Sequence, residues 1–123
     1  MIATVRIRNR ETNAECSITL SAVELAERKL TCDILGEADV YTSTGEMMSG
    51  GLIRILCGSG MAFARSQLGI ENGLAVVLSE VQGTLDKADE VGICHATALA
   101  IARSLHRDIS CLLTAMHKWD ILD

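Results

Sequence analysis

The residues of this chain whose types and spacing best suit chemistry lie between Gly45 and Gly60. The stretch closes on Leu52-Ile53-Arg54-Ile55-Leu56-Cys57-Gly58-Ser59-Gly60. Residues 52–57 read either as a buried strand or as the second half of a glycine-interrupted helix. Gly58 to Gly60 reads as a turn, and Met61 to Leu68 as a short helix stopped by Gly69. A glycine turn that opens a helix gathers free backbone N–H groups, and the helix dipole there favours negative charge. Arg54 and Arg65 flank the turn. The expected site is therefore one for a small anionic ligand, built from Arg54, Gly58, Gly60 and Arg65. It is not a Walker loop, since no Gly-Lys-Ser/Thr follows. It is not a dinucleotide fingerprint either, because Phe63 takes the third glycine position.

The same turn can be read as a nucleophile elbow carrying Cys57 or Ser59. That arrangement wants small residues two before and two after the nucleophile. Cys57 has Ile55 before it and Ser59 has Met61 after it, so each meets half the requirement. The base would be a histidine, His95 being the candidate, with His106 and His117 the remaining two. This alternative predicts an enzyme acting on an anionic or carbonyl substrate. Cys94 and His95 are neighbours in sequence but point ~100° apart on a helix, so they do not face each other. The three histidines are evenly spaced, which on one helix would separate successive rings by ~16 Å, too far to share a metal. The five cysteines contain no C-x-x-C pair from which a zinc site would start. No motif identifies a cofactor.

These residues need a scaffold, and hydrophobic periodicity outlines one. Ala3, Val5 and Ile7 alternate with polar residues, as do Cys16, Ile18 and Leu20. The period of two predicts an antiparallel hairpin across a polar turn at Asn9 to Asn13. Ser21 and Glu24 form a capping-box pair, predicting a helix through Val23, Ala26, Leu30 and Ile34 that stops at Gly36. Leu30, Cys32 and Ile34 would equally open a strand. Ala38 to Ser43 reads as a strand, and Ser43 with Glu46 repeats the capping signature. Asn72-Gly73 is a tight turn. The continuous apolar run from Leu74 predicts a central strand to Val81, covered on both faces. Asp86 to His106 is the strongest helix, acidic at its start and basic at its end, with Val91, Cys94, Ala98, Ile101 and Leu105 as its apolar stripe. Ile109 to Met116 reads as a last strand. The expected fold is α+β in a single domain, residues 1–123. It has a mixed or antiparallel sheet of about five strands covered by two to three helices.

Composition narrows the partners. Lys and Arg total 11 against 16 Asp and Glu, a formal charge of −5. That disfavours nucleic acid, which needs a basic face. Only Tyr41, Phe63 and Trp119 are aromatic and there is no proline, so stacking on single strands is also disfavoured. Nearly half the chain, 49%, is hydrophobic. An apolar excess of this kind predicts a buried interface between copies, a homo-oligomer. No apolar run approaches a membrane span. An odd number of unpatterned cysteines fits a reducing, cytoplasmic setting. The expected function is a small ligand-binding or protein-interaction module, with the enzyme above and a purely structural assembly protein as alternatives.

Overall fold

The computed structural model describes residues 1–123 as a mixed five-stranded sheet with helices on one face, an α+β fold. The strands are β1 (Ile2–Asn9), β2 (Glu15–Leu25), β3 (Leu30–Tyr41), β4 (Gly73–Thr84) and β5 (Trp119–Ile121), and they lie in the order β3-β4-β2-β1-β5. All neighbours are antiparallel except β3 and β4, which run parallel. The helices are α1 (Gly50–Gln67), α2 (Val91–Ser104) and the single turn α3 (Ser110–Leu113).

The hairpin forms as its alternation predicts. Ala3, Val5, Ile7 and Asn9 point inward from β1, and Cys16, Ile18, Leu20 and Ala22 from β2. The Asn9 carboxamide oxygen accepts from the N–H groups of Glu11 and Thr12, and Asn13 takes a left-handed φ of 63°. Asn9 also donates to the buried Asp89 at 3.2 Å, and Thr12 donates to the same oxygen at 3.1 Å. The turn is thereby tied to the segment leading into α2.

Four sequence expectations are overturned. The helix from Ser21 to Gly36 does not form: β2 continues to Leu25, and β3 starts at Leu30. The capping-box pair is a local preference, whereas β4 supplies ladder partners from Ser21↔Val77 to Leu25↔Gly73. Backbone pairing and the burial of Ala22 outweigh the cap. Of the two readings of 52–57 the helical one holds, and the turn at 58–60 is instead part of the same helix, α1, capped by Ser49, whose side chain accepts from Leu52 N–H. Ile53, Cys57, Gly60, Met61 and Ala64 are its buried residues, at helical spacing. Ser43 and Glu46 cap nothing; residues 42–48 turn back along β3, where Met48 N–H donates to Val40. Finally, residues 109–116 are α3 and a 3-10 turn, with the last strand at Trp119–Ile121. Ile109, Leu112 and Met116 turn inward while Cys111 and Leu113 stay exposed, a helical rather than alternating pattern.

Other expectations hold with adjustment. Gly69 does end α1: with φ of 67° it closes a Schellman turn, its N–H bonding Ser66 and that of Ile70 bonding Arg65. β4 is interior to the sheet, but Leu74, Val76 and Leu78 face the helices while Ala75 and Val77 lie half-buried on the other side. The strand is covered on one face, not two. The expected helix from Asp86 is a 3-10 turn at Lys87–Asp89 followed by α2. α2 is also more deeply set than one stripe implies. Every residue from Ala96 to Ala102 is buried, because β1 and β2 lie beneath the helix and α1 packs alongside it. Trp119 lies over its first turn, where a Cβ on Gly92 would meet the indole at 2.5 Å. One cluster of 28 buried residues fills the space between sheet and helices, so the chain has a single core.

Candidate functional site

The residues proposed for catalysis occupy α1 and α2 and do not converge. Cys57 is fully buried under α1, while Ser59 lies exposed on its outer side. His95, half-buried on α2, meets the edge of the Trp119 ring, centroids 6.2 Å apart. Burial lowers its pKa, favouring the neutral ring. No hydrogen bond links Cys57 or Ser59 to a histidine. His106 and His117 are exposed, His106 in a left-handed turn at the end of α2.

The proposed anion ligands have structural tasks. Gly58 and Gly60 are in mid-helix, so their N–H groups do not form a helix start. Gly60 is where α1 presses on α2: a Cβ there would lie 2.6 Å from the Cys94 carbonyl oxygen. Arg54 donates to the Cys32 carbonyl at 2.9 Å, tying α1 to β3. Arg65 donates to the carbonyls of Asn72 and Glu71 at 2.7 and 2.9 Å, bracing the loop into β4. An open groove of about 700 Å³ between Arg28, Arg65 and the 69–72 loop lies at the end of α1 that carries the negative pole of the dipole.

The thiols follow the core. Burial pushes Cys57 up to about 12, opposed in part by the nearby Thr97 side chain. Cys16, Cys32 and Cys94 are also raised, in each case chiefly by burial. A thiol raised this far by burial is overwhelmingly protonated at neutral pH, which does not favour it as a nucleophile. Iodoacetamide at pH 7 is therefore expected to modify the exposed Cys111 first and to leave Cys16 and Cys57 intact until denaturant is added. Preferential labelling of Cys57 in the folded protein would restore it as a catalytic candidate. No group of three His, Cys, Asp or Glu side chains converges in a way that could hold a metal ion.

What the fold leaves open is the other face of the sheet. Ile2, Thr4, Arg6 and Arg8 project from β1 on that side, with Ser17, Thr19 and Ser21 from β2. Glu80, Gln82 and Thr84 follow on β4, and Glu37, Asp39 and Tyr41 on β3. A recess of about 370 Å³ lies there, rimmed by Arg6, Glu15, Ser17, Asp39, Gln82 and Thr84. Glu37 and Glu80 are direct register partners, two carboxylates side by side with no cation between them. Like charges so placed are unfavourable. Arg6 reaches Glu15 at 3.3 Å and Asp123 at 3.6 Å, whereas Arg8 makes no ion pair within the chain. At the opposite end of the face Ile2 and Val23 are 67% and 54% exposed. Alternation in the sequence set the polar residues of β1 and β2 on the outward side of their strands but did not single that side out as a site. The signal that marks it, carboxylates and arginines gathered on opposite sides, depends on which strands neighbour which.

No family model and no curated protein matches this chain. No helix is long and apolar enough to cross a membrane.

Proposed function

We propose that this chain is a small interaction module of the cytoplasm whose working surface is the uncovered face of its sheet. The observation that carries the proposal is the uncompensated charge on that face: Glu37 beside Glu80, and Arg8 without an ionic partner. Exposed Ile2 and Val23 on the same side add apolar area to bury. Five free cysteines support a reducing compartment. Chemistry at Cys57 draws no support from its burial, and within the glycine segment Gly60 is taken up by the contact with α2.

The test is a photo-crosslinking amino acid placed at Thr19, at the centre of the open face, and separately at Ser66, on the outside of α1. Crosslinks to a defined protein species from Thr19 and not from Ser66 are expected in cells that make the protein. Crosslinks from Ser66 alone, or from neither position, would refute the reading.

A further inference from the structure

Granting that the open face is the working surface, we infer that its partner is a second copy of this chain. The two sheets would pack face to face about a twofold axis parallel to the strands. Register places the open-face side chains in rows across the sheet. One row runs Asp39, Gln82, Ser17, Arg6; the next runs Tyr41, Thr84, Glu15, Arg8; a third runs Glu37, Glu80, Thr19, Thr4. Glu37, Asp39 and Glu80 thus lie on the β3–β4 side and Arg6 and Arg8 on β1, with Glu15 of β2 paired to Arg6.

A twofold axis along the strands, between β4 and β2, exchanges β1 with β3 and β2 with β4. It sets Arg6 over the partner's Asp39 and Arg8 over the partner's Tyr41 ring, a cation–π contact. Glu37 and Glu80 then face the hydroxyls of the partner's Thr4 and Thr19. At the far end Val23 meets the partner's Ala75. An axis across the strands would instead stack the β3 carboxylates on their own copies. Charge therefore selects one of the two in-plane twofolds, and the interface is isologous. Its sheets would cross at about −30°, the usual angle for aligned packing.

The area is sufficient. Four strands at ~4.8 Å spacing and up to ~35 Å long offer on the order of 700 Å² per copy. Stable interfaces bury about 600–1,000 Å² per partner. Glu80 is the unfavourable element: it lies on β4, away from the sheet edge, and would lose water against a hydroxyl alone.

Sedimentation of the intact chain measures this directly. The wild type should sediment at twice the 13.2 kDa chain mass at high micromolar concentration. Arg6→Glu with Arg8→Glu in one variant, and Glu37→Lys with Asp39→Lys in another, should each dissociate roughly hundredfold more readily, from like-charge contact between positions 6 and 39 and, in the first, loss of the cation–π contact. Mixing the two variants should restore a dimer, because each reversed strip then meets its opposite. Glu80→Gln should associate several-fold more tightly than wild type. A wild-type monomer, a dimer indifferent to both charge sets, or no recovery on mixing would each overturn the inference. Unchanged or weaker association of Glu80→Gln would do so as well. A wild-type monomer that still crosslinks another protein from Thr19 would leave the interaction reading standing and remove only the second copy.

Discussion

Gly60→Ala is expected to destabilise the chain by about 2 kcal/mol, while Gly58→Ala, two residues earlier, should stabilise it by up to about 1 kcal/mol. The difference is the neighbour each new methyl would meet. At Gly60 the Cβ would lie 2.6 Å from the Cys94 carbonyl oxygen, 2.8 Å from the Thr97 Cβ and 3.2 Å from the Cys94 Cα. Two of these three atoms belong to backbone, and α2 cannot retreat because the sheet lies beneath it. α1 would have to lift, loosening Ile53, Cys57, Met61 and Ala64 together. Overpacking of this kind costs ~1–3 kcal/mol or more, against which alanine's helix propensity returns ~1 kcal/mol. At Gly58 there is nothing within 4 Å, so only the propensity gain remains. In a chain of this length each kcal/mol moves Tm by about 4 °C, so thermal melts should separate the two variants by roughly 10 °C. Shifts of the same sign and size would mean that the helices do not touch at Gly60. They would also revive the loop reading, under which the two glycines are equivalent.

The second large effect is expected at Gly36. A Cβ there would fall 1.6 Å from the carbonyl oxygen of Ser79 and 2.6 Å from its carbon. The glycine occupies the register slip between Ile34 and Glu37, where β3 leans directly on β4. Gly36→Ala must push the edge strand away, and with it the Arg54–Cys32 and Met48–Val40 hydrogen bonds. A loss of about 3 kcal/mol or more is expected, in the range reserved for severe overpacking. Because β3 is an edge, it should detach before the core opens. Trypsin should then cut at Arg28 and Lys29, immediately before β3, faster than in wild type. A variant within ~0.5 kcal/mol of wild type, resistant at those bonds, would show that the strands are not pressed together there.

Both substitutions turn on contacts between distant segments, and those are what local pattern did not reveal. Alternation at Ala3, Val5 and Ile7 and at Cys16, Ile18 and Leu20 made the hairpin legible, because one buried face imposes a period of two. The stop at Gly69 was legible because a Schellman turn needs a residue that accepts positive φ. The Ser21–Glu24 pair misled because a cap stabilises a helix only if no strand competes for the same backbone groups, and β4 does. Gly58 and Gly60 misled for a different reason. A glycine required by an approaching helix and a glycine required by a turn are identical in sequence. The candidate site was less legible than the fold: the chemistry expected at Cys57 and Ser59 assumed a turn, and within a helix the two side chains face core and solvent respectively.

Residue types and their spacing were enough to establish an aliphatic α+β chain, its first hairpin, the end of α1 and the bulk of α2. Each of these depends on interactions within a few residues or on one buried face. The insertion of β4 between β3 and β2, the course of α1 through Gly60 and the open charged face depend on which segments become neighbours. That choice is made by pairing backbone groups and burying apolar area across the whole chain. Cys57, Ser59, Arg54 and Arg65 were therefore recognised as a group in sequence but assigned to core, solvent and bracing contacts by the fold. Arg6, Arg8, Glu37, Asp39 and Glu80 became a surface only once β1 and β3 were set on opposite sides of one sheet.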